Sequence, residues 1–262
     1  RRTQGQRRPI YFDMSLHGYR SAGFTKTPYL QHLRTDGVTV MWETSVPAFG
    51  YVEVRQRDDG PWRHFTHPVV ASTHHEVVIR GLEPDAHYEY RTVSWPVVEG
   101  SVQRPSEHLR STPVAFRTGV PDGEPMTFLA YGDNRTQAEV HARVTALLAE
   151  EATASQARFL VHTGDLVTRA TPWREWNDEF FAPALPLMAR LPYFTSLGNH
   201  EGNHAQYYHY LDLPGNEAWY HFRQGDVDFI ALNSSLDFSP GSSQHAWLLD
   251  ALSRRSAPWT VV

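Results

Sequence analysis

Three short motifs in the second half of this 262-residue chain each place a residue able to hold a cation directly after a glycine: Gly132-Asp133-Asn134, Gly164-Asp165-Leu166 and Gly198-Asn199-His200-Glu201. Each closes a near-continuous apolar run, MTFLAYGD, RFLVHTGD or PYFTSLGNH, which reads as a buried strand. Side chains at the carboxyl ends of strands in an open α/β sheet converge on one crevice, so Asp133, Asp165, Asn199 and His200 are expected to meet there. Two carboxylates, an amide oxygen and an imidazole suit a divalent or trivalent first-row metal better than calcium, and a shared ligand suits a pair of metals. A single Gly-Asp carries little weight, because its carboxylate can simply cap the next helix. Three such motifs in order are a different matter.

The elements that must position these residues are strands alternating with helices. HARVTALLAEEA, the segment from Trp173 to Arg190, and SSQHAWLLDALSRR over 242–255 supply the helices. WYHFRQGDVDFIALNSS reads as a hairpin turning at Gly225-Asp226, and PWTVV starts one more buried strand. The Trp and Phe stripe in WREWNDEFFAPAL is read as core.

Before Gly119 the pattern differs. VTVMWET (38–44), YVEVRQ (51–56), HEVVIR (75–80), HYEYRTV (87–93) and VAFRT (114–118) are short alternating runs. They are separated by turn chemistry at Asp36-Gly37, Pro47 to Gly50, Asp58-Asp59-Gly60 and Gly81 to Asp85, which predicts an antiparallel β-sandwich. Residues 1–23 lack periodicity and read as an N-terminal arm.

Composition narrows the function. Twenty-four Lys and Arg against twenty-nine Asp and Glu give a net charge of −5, which argues against nucleic acid or an anionic membrane as the main partner. No apolar stretch approaches the ~18–20 residues of a membrane-spanning helix. The absence of Cys excludes disulfides, thiol nucleophiles and Cys-ligated metal sites.

GLEPDAHYEY resembles the Gly-Leu-x-Pro turn and following strand of fibronectin type III-like sandwiches, with Trp42 in the place of their core tryptophan. The resemblance implies that Leu82 plugs the bottom of the core and that the Tyr88 hydroxyl bonds back to the preceding turn. Tyr88, Tyr90 and Trp95 are then core aromatics, not a sugar-binding or partner-binding surface. The three strand-end motifs resemble the calcineurin-like metallophosphoesterases, and the preceding sandwich narrows the likeness to purple acid phosphatases and their bacterial relatives. This implies two divalent or trivalent metal ions (Fe, Zn or Mn), with Asp133 on the first, Asp165 bridging, and Asn199 on the second. His200 would approach the phosphate and the leaving group. In-line attack on phosphorus would proceed while the metals neutralise the phosphate oxygens.

The chain departs from that pattern in three places. Arg135 stands where metallophosphoesterases commonly have a metal-binding His two residues after the first Asp. Thr168 stands where purple acid phosphatases have a metal-binding Tyr, so the purple charge-transfer band is not expected. The family's later histidine ligands, including a Gly-His-x-His motif, are not in the 262 residues, which are therefore expected to be a fragment of a longer phosphoesterase. Arg135 could clamp a phosphate oxygen or pair with Glu139. Glu201 is expected to orient His200. His162 is expected to be a packed or hydrogen-bonded strand residue, His204 and His209 to be solvated loop residues or to line the pocket, and His74 and His75 to be surface.

The expected architecture is an all-β fibronectin type III-like sandwich followed by the first part of a metallophosphoesterase α/β domain. Its parts are an arm over 1–23, the sandwich over 24–119 and the α/β domain over 125–262. The expected activity is hydrolysis of small phosphate monoesters at a dinuclear metal centre. The ligands are Asp133, Asp165 and Asn199, with His200 catalytic and Arg135 and His200 contacting substrate. The rivals are a phosphodiesterase acting on nucleotides or phospholipid head groups and a catalytically dead binding module. Relatives with this sandwich are usually exported, so a periplasmic or secreted protein is expected.

Overall fold

Alternation of apolar and polar residues between Phe24 and Arg117 produces a sandwich whose strands are β1 (Phe24–Arg34), β2 (Gly37–Gln56), β3 (Arg63–Thr66), β4 (Ser72–Ile79), β5 (His87–Pro96), β6 (Leu109–Arg110) and β7 (Val114–Arg117). The computed structural model describes residues 22–57, 60–66, 70–97 and 108–262. Most of the expected N-terminal arm (residues 1–21) and the Asp58-Asp59 part of one expected turn lie outside the described residues.

The turn expected at Pro47 to Gly50 is not there. β2 continues through it as one bent strand, pairing β1 and β4 along its first half and β3 and β5 along its second. A register shift between Glu43 and Ala48 absorbs the bend. Gly50 permits it, since a Cβ there would lie 2.6 Å from Cζ2 of Trp42. Trp42 is fully buried, donates its indole N–H to Ser94 Oγ at 2.9 Å and stacks on His75 at 4.6 Å. His75 is consequently buried and His74 half-buried, against the expectation that both face solvent.

The fibronectin-like details are present. Leu82 is buried in the core, and Glu83 donates its backbone N–H to the Tyr88 hydroxyl at 2.9 Å. Tyr88 and Tyr90 are buried on alternate positions of β5, and Trp95 is half-buried.

The second half alternates strand and helix: β8 (Leu129–Tyr131), α1 (Ala138–Ala154), β9 (Leu160–His162), α2 (Trp173–Glu175), a π-helical segment (Trp176–Phe181), α3 (Ala182–Met188) and β10 (Tyr193–Thr195). The apolar runs read as strands are thus regular for only three residues each. β8, β9 and β10 pair in parallel, with Tyr131 opposite His162 and His162 opposite Thr195. The sheet does not stop there, because Gln31 of β1 pairs in parallel with Tyr193 of β10 and joins the sandwich to the α/β sheet. Polar bonds reinforce this junction. Tyr29 donates to the Tyr210 carbonyl at 2.9 Å, Tyr90 to the Ala189 carbonyl at 2.8 Å and Thr39 to Asp212 Oδ2 at 2.6 Å.

Helix α4 (Ala205–Tyr210), which the sequence pattern did not suggest, follows the third motif. β11 (Tyr220–Gln224) and β12 (Val227–Ala231) form the expected hairpin, and β13 (Trp259–Val261), after α5 (Ser243–Arg254), pairs in parallel with β12 as a separate small sheet. Phe222 locks that sheet to the larger one, stacking on Phe194 at 3.7 Å and on Phe229 at 4.8 Å. Phe194 and Phe229 are buried, and full burial of such a ring contributes roughly 1.5–3 kcal/mol.

Candidate functional site

The register of β8, β9 and β10 explains why distant motifs meet. Tyr131, His162 and Thr195 lie in one row across the sheet, and each motif begins within three residues of that row. Backbone bonds carry the alignment past the strand ends: Thr163 N–H donates to the Tyr131 carbonyl at 3.0 Å, Ser196 N–H to the His162 carbonyl at 2.8 Å and Asp133 N–H to the Gly164 carbonyl at 3.0 Å. Asp133 (φ 54°) and Asp165 (φ 57°), both just past their strands, sit in the left-handed region, where a short polar side chain is tolerated.

The two carboxylates converge on one positive nitrogen. Arg135 Nη1 contacts Asp133 Oδ1 in a very short ion pair and Asp165 Oδ2 at 3.0 Å. Arg135 thus pairs with acidic neighbours, as one of its two readings from sequence had it, but these are Asp133 and Asp165 and not the Glu139 of α1 named there. The donors fit a cation: two carboxylates already close on one centre of positive charge, with the Asp133 side chain 71 % exposed. Asn199 is exposed at the same strand ends, one residue past Gly198. The His200 backbone N–H donates to Asp165 Oδ1 at 3.3 Å, while its ring Nδ1 lies 2.7 Å from the Thr168 carbonyl.

Gly198 makes the convergence possible. A Cβ there would lie 2.1 Å from Asp165 Oδ1 and 2.3 Å from Asp165 N, so the third motif can approach the second only as bare backbone.

Glu201 does not orient His200, contrary to the expectation. Its fully buried carboxylate accepts four backbone N–H groups: Gly198 at 2.8 Å, Asp165 at 3.0 Å, Leu166 at 2.8 Å and Val167 at 3.2 Å. Burial raises its pKa, and the four donors oppose that rise. The third motif thereby staples the loop of the second. Thr168, at the position of the family's tyrosine, is likewise committed, since its backbone N–H and hydroxyl both donate to Glu179 of the π-helical segment, at 2.6 and 3.0 Å.

A second layer lies behind the carboxylates. His162 is buried and donates from Nε2 to Asn134 Oδ1 at 2.5 Å, while its Nδ1 accepts the Gly164 N–H at 3.2 Å. That is the hydrogen-bonded strand histidine expected from the sequence, and burial lowers its pKa to about 3. Asn134 Nδ2 in turn donates to the Leu166 carbonyl at 3.0 Å. His141 on α1 bridges the Tyr131 hydroxyl at 2.9 Å and the Glu179 carbonyl at 2.8 Å. Sequence reasoning passed over Asn134, His141 and Glu179; the sole local signal was the polar residue directly after Asp133.

His204 caps α4, its side chain accepting from the Gln206 N–H. His209 faces Glu43 of β2 at 3.5 Å, so it contacts the sandwich and is neither a pocket residue nor a solvated loop residue.

Comparison with known proteins agrees with this architecture. The calcineurin-like phosphoesterase family profile matches residues 126–262. The chain is 26% identical over 261 residues to acid phosphatase type 7 of Mus musculus, covering 89% of this chain and 56% of that protein. It is 26% identical over 204 residues to probable purple acid phosphatase 20 of Arabidopsis thaliana, covering 71% and 43%. The chain thus spans about half the length of the curated relatives it matches. The solved structure of purple acid phosphatase PPD1 from yellow lupin superposes with a TM-score of 0.72 at 17% identity, over 90% of this chain and 50% of that one, a likeness of fold. Behind its fibronectin type III-like sandwich, this chain belongs to the calcineurin-like phosphoesterase family and is similar to the purple acid phosphatases.

Proposed function

We propose that the chain carries catalytic-centre residues of a phosphate-monoester hydrolase, with Asp133, Asp165 and Asn199 as metal ligands and His200 as proton donor and phosphate contact. The observation that carries this reading is the meeting of the Asp133 and Asp165 carboxylates on one positive nitrogen at the ends of adjacent parallel strands. Two divalent or trivalent ions of the iron, zinc or manganese class, when bound there, supply positive charge against the phosphate oxygens.

The chain's own residues do the rest. Asp165 presents Oδ2 to the cation position while Oδ1 is steadied by the His200 N–H. A carbonyl only accepts, so His200 Nδ1 carries a proton toward Thr168, and Nε2 is the nitrogen that gains and gives the second. Nε2 of the imidazolium then delivers its proton to the departing alkoxide. Arg135 is available to a phosphate oxygen once metals engage the two carboxylates. Small phosphate esters are the substrate class, and a periplasmic or secreted location belongs to the same reading. No helix among the described residues is long and apolar enough to cross a membrane.

The test is metal content and turnover of a monoester and a diester chromogenic substrate, on this chain and on the product of the full reading frame. Metal-dependent turnover favouring the monoester, abolished by Asp165→Asn, is expected of the full product. Absence of both metal and turnover there would overturn the reading. It would favour a binding module in which Arg135 is the resident cation, the alternative that its double contact supports.

A further inference from the structure

We propose that Glu43, His74 and His209 form a binding site for a single zinc-class divalent metal ion that fastens the sandwich to helix α4. Glu43 lies on β2, His74 on β4 and His209 on α4, so the three come from separate elements on both sides of the junction. Their donor atoms all lie within 4.8 Å of one another. Glu43 Oε1 stands 3.5 Å from His74 Nδ1 and 3.5 Å from His209 Nε2. Ligands bound at 2.0–2.1 Å around a tetrahedral zinc stand about 3.3–3.4 Å apart. The observed spacings match that edge, and exceed the usual ~2.7–3.2 Å of an N–H···O hydrogen bond.

The His74 ring adds a second observation. Both ring nitrogens of His74 are buried and have no hydrogen-bond partner, although buried polar groups are normally satisfied. A metal ion on Nδ1 would satisfy one of them. The imidazoles of His74 and His209 lie 4.1 Å apart between centroids, close enough to serve one ion.

The surroundings orient Glu43 as a one-oxygen ligand. Lys26 Nζ takes Oε2 at 2.5 Å and is itself held over the rings of Tyr210 at 4.4 Å and Phe181 at 5.1 Å. Oε1 is left facing the two imidazoles. The His209 side chain is 32 % exposed, so solvent can supply a fourth ligand. Two imidazoles and one carboxylate oxygen are a donor set for zinc or a neighbouring transition metal, not for calcium or magnesium. An ion there would steady α4, which starts directly after the loop bearing Asn199, His200 and Glu201.

Titration with cobalt(II), whose four-coordinate complexes absorb in the visible, separates this site from the strand-end carboxylates. The chain is expected to take up one equivalent with a four-coordinate spectrum that survives the paired substitutions Asp133→Asn and Asp165→Asn. His209→Gln and His74→Gln are each expected to weaken binding about tenfold or more. In the Asp133→Asn, Asp165→Asn background, where the strand-end carboxylates are removed, zinc should raise the unfolding temperature, and adding His209→Gln should abolish that rise. His209, being partly exposed, is the variant that retains the fold, to be checked by circular dichroism. No four-coordinate cobalt spectrum, or one that persists in His209→Gln, would overturn the proposal.

Discussion

The carboxylate of Glu201 accepts the backbone N–H of Asp165 at 3.0 Å, so the loop after β10 holds the loop after β9 in place. Three more N–H groups depend on the same side chain. Replacing it leaves buried donors without acceptors, and a charge-assisted bond is worth about 1.5–3 kcal/mol. Glu201→Gln, which brings an NH2 against those donors, should lower stability by about 3 kcal/mol or more. Urea denaturation of the variant beside the parent measures this.

Arg135 competes with any metal for Asp133 and Asp165. Arg135→Ala removes a positive charge from the cation position and leaves two carboxylates facing each other. Coulomb attraction for a divalent ion should therefore rise, and affinity for Mn2+ or Zn2+ should increase roughly tenfold. Calorimetric titration in the His209→Gln background isolates the effect.

Acid should destabilise the fold partly through His162. Its pKa falls from 6.5 in the unfolded chain to about 3 when buried against Asn134. Between those values the unfolded state binds a proton that the folded state refuses, so stability rises with pH and is lost as pH falls below 6.5. The slope from this one group is about 1.4 kcal/mol per pH unit. His162→Gln should reduce the pH dependence of the urea midpoint by up to one proton across that window.

Gly198→Ala places a methyl group 2.1 Å from Asp165 Oδ1 and 2.3 Å from its backbone nitrogen, where neither can yield cheaply. Separation of the two loops should cost about 3 kcal/mol or more and weaken metal binding. Thermal unfolding and metal titration read both consequences.

The fold class and the strand–helix order were legible because their signals are local. Apolar runs ending in Gly-Asp mark β8 and β9, and Ser242 followed by an amphipathic run marks α5, where its hydroxyl accepts the His245 N–H at 3.2 Å. Arg135 was readable as a departure but not as a partner of Asp165, which is thirty residues away in sequence. Glu201 looked like a neighbour of His200 because the two are adjacent, yet a buried carboxylate is drawn to unpaired backbone donors and not to a ring already held by Thr168. His75 looked exposed because nothing in its own strand announces the Trp42 ring that covers it. The bend in β2 and the cluster of Glu43, His74 and His209 arise only when distant strands are laid side by side, and no spacing rule encodes them.

The parallel pairing of Gln31 with Tyr193 bears on how such proteins can be recombined. Two domains strung like beads can be exchanged, cut apart or duplicated with little penalty. Here the first strand of one half completes the sheet of the other, so removing the sandwich would bare a hydrogen-bonding edge beside β10 and invite association with other chains. A chimera carrying a foreign sandwich would have to bring a first strand of matching direction and register. Inheritance of the two halves as one piece is what this seam requires.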